Sequence, residues 1–262
     1  MRKTIAMLAL LLLGAAGAAQ AAMVARPVGY TLDGTAFRGV LVYDDAVAAK
    51  RPGLLMVPNW RGVNDTAVAK AKMIAGRDYV ILLADMYGEK VRPKNDDEAR
   101  EAVKPLYADR ALLRKRVVEA LEVLRAQAAG APIDTARLAA IGFCFGGTSV
   151  LDLARSGADV AAVVSFHGGL GTDDPALAKQ IKARVLAING ADDKGTMPDA
   201  DKFMDEMRGS GADWQFVVLG NAVHCFTETE DHSPGCMYDA RAARRSYRMM
   251  RDWLDEAFAG KP

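Results

Sequence analysis

One cysteine, one histidine and one of two neighbouring aspartates stand where they could carry out covalent chemistry. Cys144 lies in Gly142-Phe143-Cys144-Phe145-Gly146-Gly147, at the end of an apolar run over 138–143. A Gly-x-nucleophile-x-Gly spacing between a buried strand and a helix is the elbow that lifts a reactive side chain out of a sharp turn, here with sulfur where serine is commoner. Backbone segments cross closely in such a turn, which requires the glycines, and amide dipoles at the following helix start favour a thiolate. An isolated cysteine beside a tight turn is more often plain core; the five-residue spacing at a strand–helix junction favours the nucleophile. An acid and then a histidine should follow, each after a later strand. An apolar run at 185–189 leads into Gly190-Ala191-Asp192-Asp193, and one at 214–219 leads into Gly220-Asn221-Ala222-Val223-His224. His224 is the expected general base. Asp192 and Asp193 both qualify as the orienting acid; the Gly-x-x-Asp spacing favours Asp193 and leaves Asp192 a solvated loop charge.

A tetrahedral intermediate also needs two backbone N–H donors for its oxyanion. The residue after the nucleophile, Phe145, supplies one, and Trp60 in the loop over 58–64 supplies the other. His167-Gly168-Gly169 superficially matches the HGG oxyanion segment of lipases, but it follows the nucleophile in the chain and cannot occupy that earlier loop. It reads as a strand-end turn, with His167 lining the pocket.

These residues need strands to aim them. Val, Ile, Tyr and Phe enrichment predicts strands at 28–32 and 37–43 with Gly34 as the turn between them. Continuous apolar runs at 53–57 and 79–84 predict strands buried on both faces, as do those at 138–143, 160–166 and 185–189. Asn64 and Asp65 supply capping chemistry for a helix to about residue 77. Further helices are expected at 97–106 and 110–129, broken at Pro105 and ended by Gly130, then at 146–155, 175–182, 200–208 and 239–258. Repeated strand–helix–strand units require crossovers and a largely parallel sheet covered on both faces.

The chain has 262 residues, with 34 Lys and Arg against 33 Asp and Glu and 51% hydrophobic residues. A near-neutral balance argues against a nucleic-acid partner, and three cysteines are too few for a disulfide-built scaffold. Arg2-Lys3, the apolar run over 5–13 and Ala19-Gln20-Ala21 form the charged, apolar and A-x-A parts of a secretory signal. Cleavage after residue 21 is expected, which removes two basic residues from the 34 and leaves 32 against 33, a net charge of −1. Residues 22–262 then form a single domain, without a membrane span, in the periplasm or outside the cell.

Gly142 to Gly147, Ala84-Asp85-Met86-Tyr87-Gly88, Gly190 to Asp193 and Val223-His224-Cys225-Phe226 together resemble the dienelactone hydrolase family over about residues 34–254. The resemblance implies an α/β-hydrolase fold with a mostly parallel sheet of about eight strands. It implies a Cys144-His224-Asp193 triad, no metal and no cofactor, and hydrolysis of small ester, lactone or thioester substrates through an acyl-enzyme. Two departures matter. Members typically carry Glu, associated with thiol activation, where this chain has Asn59. The positions where enzymes acting on dienelactone use two arginines are Glu89 and Glu228 here. Two carboxylates would repel an anionic substrate, so Asn59, Glu89, His167 and Glu228 are read as a pocket unsuited to dienelactone itself.

Cys225 and Cys236, eleven residues apart, could form a disulfide that holds the His224 loop in an oxidising compartment. A metal site from Cys225, His232 and Cys236 matches no standard zinc spacing, and no metal is expected. Arg241, Arg244, Arg245, Arg248 and Arg251 recur at helical spacing and read as a solvated face over Met249, Trp253 and Leu254. The leading function is thus a cysteine-dependent hydrolase. The alternative is a catalytically silent small-molecule binding protein on the same fold, in which Asn59 records lost activation. Oligomeric state is not legible.

Overall fold

The computed structural model describes residues 23–260; the expected leader lies outside the described residues. An eight-stranded sheet runs in the order β1-β2-β4-β3-β5-β6-β7-β8. Strands β1 (Met23–Leu32) and β2 (Thr35–Asp44) form an antiparallel ribbon, and β2 pairs antiparallel with β4 (Val80–Leu83). All other pairings are parallel, joining β3 (Arg51–Val57), β5 (Ile133–Phe143), β6 (Ala162–Phe166), β7 (Arg184–Gly190) and β8 (Trp214–Leu219). This is the largely parallel sheet anticipated from the strand–helix alternation, in the eight-stranded α/β-hydrolase form that the family resemblance implies.

Strand alternation sends successive side chains to opposite faces, and each face has its own core. Leu55, Val57, Leu82 and Ala140 pack with residues of α2 (Asp96–Ala108), α3 (Arg110–Ala126), α4 (Phe145–Arg155) and α5 (Ala200–Arg208). Leu54, Met56, Ile81 and Leu83 pack with α1 (Asp65–Ala75) and α6 (Ala240–Phe258). The chain therefore leaves β3 for one face and β5 for the other. A crevice opens where neighbouring strands part in this way, at their carboxyl ends. Cys144 follows β5 and Trp60 follows β3, so both sit at that crevice.

Two expectations need correction, and one element was not anticipated. Pro105 does not break its helix: α2 runs through it to Ala108. The carbonyl that loses its partner belongs to exposed Glu101, where water can serve it. The actual stop is Asp109, whose side chain accepts from Leu112 N to cap α3. Residues Pro175–Gln180 form a 3₁₀ segment rather than an α-helix. A short hairpin, β9 (His232–Ser233) with β10 (Cys236–Met237), was not anticipated. On α6, Trp253 and Leu254 are buried and Arg241, Arg244, Arg245 and Arg248 are exposed, as the helical spacing predicts. Among the described residues no helix is long and apolar enough to cross a membrane.

Candidate active site

The elbow is held by contacts that exclude side chains. A Cβ on Gly142 would lie 2.0 Å from the Gly146 carbonyl oxygen, and one on Gly146 would lie 2.1 Å from that of Val57. Between them Cys144 takes φ 53° and ψ −117°, a left-handed conformation that a non-glycine residue adopts only when its surroundings enforce it. Its backbone N–H is enforced from two directions, by the Phe166 carbonyl at 3.0 Å and by His167 Nδ1 at 3.1 Å.

The sulfur faces His224, with Sγ to Nε2 at 3.1 Å, and His224 Nδ1 meets Asp193 Oδ2 at 2.7 Å. Asp193, not Asp192, makes this contact: Asp193 is buried and Asp192 is exposed. The other Asp193 bonds are internal. Oδ1 accepts from Gly195 N and Thr196 N, and Oδ2 accepts from Thr196 Oγ1 at 2.7 Å. The acid and histidine loops are also tied together, since Asp192 N donates to the Ala222 carbonyl at 3.0 Å.

Burial works against charge on His224, but the Asp193 hydrogen bond and the Cys144 sulfur outweigh it, and the imidazole is pushed up to about 10. Burial likewise opposes ionisation of Asp193, yet its bond to His224 holds it below the usual carboxylate range. The row Asp193–His224–Cys144 is therefore built to hold a proton on the imidazole beside the Asp193 carboxylate, and can return that proton next to the sulfur.

The His224 loop is clamped. Cys225 and Cys236 form a disulfide with Cα atoms 4.9 Å apart, and Met237 N donates to the His224 carbonyl at 3.0 Å. The tip of that hairpin, Pro234 and Gly235, walls a cleft of about 1020 Å³ that also touches Cys144, His224, Val223 and Tyr107. The two sulfurs are bonded to each other, which removes them as thiolate ligands.

Phe145 and Trp60 lie on opposite sides of the crevice. Tyr87 connects them: its hydroxyl donates to the Trp60 carbonyl at 2.8 Å, and its ring stacks on that of Phe145 with centroids 5.7 Å apart. Among the described residues neither backbone N–H donates to a protein acceptor, which suits both to an incoming oxygen.

The four residues read as pocket lining do not line this cleft. His167 is fully buried behind the elbow. Burial first, and then the positive charges of His224 and Lys70, hold it well below its ordinary range and therefore neutral. Because Nδ1 accepts from Cys144 N–H, the ring proton is on Nε2 and is donated to Thr227 Oγ1 at 2.7 Å. Thr227 in turn donates to Glu228. Glu228 is buried, pairs with Lys70 and accepts from Asn59 Nδ2 at 2.6 Å. Glu89 pairs with Arg38 at 3.1 Å. Neither carboxylate is free to repel a substrate, so the repulsion argument fails: each charge is answered by a basic neighbour. Lys70, Thr227, Thr196 and Tyr107 were not found from sequence. Lys70 sits on a helix where lysine normally means solvent, and only the fold shows that it is half-buried and paired with Glu228.

The dienelactone hydrolase family profile matches residues 37–258. The dienelactone hydrolase-like promiscuous phosphotriesterase P91, from metagenomic libraries, superposes with a TM-score of 0.83 at 38% identity, covering 90% of this chain and 99% of P91. An uncharacterized Caenorhabditis elegans protein, K02A2.1, is 34% identical over 153 residues, which are 56% of this chain and 95% of that protein. A dienelactone hydrolase from Anabaena variabilis shares the fold, with a TM-score of 0.66 at 19% identity, over 89% of this chain and 98% of the other. With its sheet order, its elbow after β5 and a profile match over most of its length, the chain belongs to the dienelactone hydrolase family and is a hydrolase.

Proposed function

We propose that the protein hydrolyses small, uncharged esters, lactones or thioesters with Cys144 as nucleophile, through a thioester acyl-enzyme. The observation that carries this reading is the unbroken row from Cys144 Sγ to His224 to Asp193, with contacts of 3.1 and 2.7 Å, opening on a cleft. His224 already holds the proton of the Cys144–His224 pair; Sγ forms a bond to the substrate carbonyl carbon, and the carbonyl electron pair moves onto oxygen beside the Phe145 and Trp60 amides. Collapse breaks the bond to the leaving oxygen, which receives the proton from His224. Water then gives a proton to His224 and attacks the thioester, and the returning proton releases the thiol. Asn59 has no part in these transfers; its amide is turned to Glu228.

The preference for uncharged substrates rests on the cleft itself. Its charges are the triad groups together with one acid, Asp192, and one base, Lys194, and no arginine lines it to hold a carboxylate. The similarity to a phosphotriesterase points the same way, since a phosphotriester is also an uncharged electrophile. Export to an oxidising compartment is part of the proposal, supported by the leader pattern at residues 1–21 and by the Cys225–Cys236 pairing.

The test compares kcat/KM for neutral aryl esters and for a carboxylate-bearing lactone, in wild type and Cys144→Ala. The neutral esters should be hydrolysed faster, and the variant should lose that activity. Equal rates on both substrate classes would refute the charge preference, and full activity in the variant would refute the nucleophile.

A further inference from the structure

The cleft at Cys144 has a neighbour. A second cavity of about 480 Å³, lined by Thr148, Leu170, Thr172, Pro175 and Phe203, shares two wall residues with it, Tyr107 and Gly169. Glycine has no side chain to interpose, so the one side chain dividing the two spaces is Tyr107. Tyr107 lies in the last turn of α2, and its ring meets Phe145 edge-on with centroids 5.7 Å apart. It is 45% exposed although large and aromatic, and it lines both cavities.

The geometry of attack gives these spaces different tasks. The leaving oxygen must reach His224 Nε2, on the flank formed by Val223, Pro234 and Gly235. The carbonyl oxygen must lie by the Phe145 amide. Tyr107 packs on the ring of Phe145, so acyl carbons leaving the oxyanion site on that side of the cleft meet Tyr107 and Gly169. The second cavity contains no triad residue, so it can take neither the leaving group nor water activated by His224.

Its charged walls are compensated internally. Arg110 makes two bonds to Asp152 at 2.8 and 2.9 Å, Asp173 pairs with Arg114 at 2.7 Å, and Glu206 pairs with Arg155 at 2.8 Å. Lys202 faces Asp199 at 3.7 Å. A charged acyl group would find no free counter-charge there, whereas Leu170, Pro175 and Phe203 offer contact to hydrocarbon.

We propose that Tyr107 is the residue that sets acyl length, closing the acyl site against long chains, and that the cavity behind it is a latent subsite for an uncharged alkyl acyl arm. The inference rests on the ester-hydrolase reading above and adds its acyl selectivity.

The experiment measures kcat and KM for 4-nitrophenyl acetate, butyrate and octanoate with wild type, Tyr107→Ala and Tyr107→Ala/Thr172→Trp. Wild type should favour the acetate and butyrate. In Tyr107→Ala the octanoate-to-acetate ratio of kcat/KM should rise by about 10-fold or more, the scale on which apolar pockets discriminate added methylenes, chiefly through a lower octanoate KM. Thr172 lines the second cavity and not the cleft, so Thr172→Trp fills that cavity and should return the ratio towards wild type. An octanoate preference in wild type, or a ratio in Tyr107→Ala within twofold of wild type, overturns the subsite while Cys144-dependent hydrolysis of the acetate stands. Hydrolysis that survives Cys144→Ala in the Tyr107→Ala background overturns the Cys144 acyl-enzyme reading, and this inference with it. Should Tyr107→Ala fail to fold, Tyr107→Leu makes the same opening with more of the packing retained, and the same ratio decides.

Discussion

Replacing both Cys225 and Cys236 by alanine removes the one covalent tie on the His224 loop. The cross-linked residues are separated by 11 positions. Closing a loop of that length removes roughly 9 cal/mol/K from the unfolded chain, or about 3 kcal/mol at 25 °C, by the chain-entropy relation. For a domain of this size that is a fall in Tm of about 6–12 °C. The effect on rate is separate. His224 stands directly before Cys225, and its carbonyl is bonded to Met237 of the hairpin that carries Cys236. Without the bridge, His224 Nε2 and the hairpin tip lining the cleft lose their common anchor. A misplacement on the order of 1 Å at a reacting pair costs up to about 10²-fold, so kcat/KM for a neutral aryl ester should fall by about 10- to 100-fold. Denaturant unfolding monitored by circular dichroism gives the first quantity and initial rates give the second. A double variant with the wild-type midpoint and the wild-type kcat/KM would refute the clamp and show that the Met237–His224 hydrogen bond suffices alone.

Asp193→Asn should lower kcat by about 10⁴-fold, because an amide cannot stabilise the imidazolium, while Asp192→Asn should stay within about threefold; similar losses in both would contradict the assigned acid. Gly146→Ala places a methyl carbon 2.1 Å from the Val57 carbonyl oxygen and should cost about 3 kcal/mol or more of stability, or prevent folding. Gly29→Ala, whose nearest contact would be 3.9 Å, should stay within about 0.5 kcal/mol. His224 is held at about 10 in the folded chain against 6.5 ordinarily, so its contribution to stability is complete below about pH 6.5 and is lost as pH rises towards 10. The urea midpoint should fall across that window, less so in Asp193→Asn; a flat wild-type profile would contradict the ion-pair row.

Much of this architecture was legible because its signals are local. Buried parallel strands read as uninterrupted apolar runs, and Gly142 is required by a backbone contact with Gly146, four residues further on. The order acid then histidine follows from strands that deliver their loops to one sheet edge. What escaped depends on contacts across the chain. Glu228 and Glu89 are ordinary carboxylates in sequence, and only the fold brings Lys70 across to the first and Arg38 to the second. His167 reads as a loop histidine, yet its ring is folded under the nucleophile, where its neutral Nδ1 supports the Cys144 amide. Pro105 reads as a helix breaker, but its position near the end of α2 leaves only a solvent-facing carbonyl without a partner. Tyr107 carries no motif; its place between two cavities follows from α2 ending over the elbow.

The central claim is that Cys144 becomes acylated. Mixing the purified protein with excess 4-nitrophenyl acetate, quenching in acid within milliseconds and digesting it for peptide mass spectrometry tests this directly. The account predicts a mass gain of one acetyl group on the peptide carrying Cys144, formed with a burst of 4-nitrophenol and absent in Cys144→Ala. Steady hydrolysis with an unmodified Cys144 peptide at every quench time, and the same rate in the variant, would contradict it.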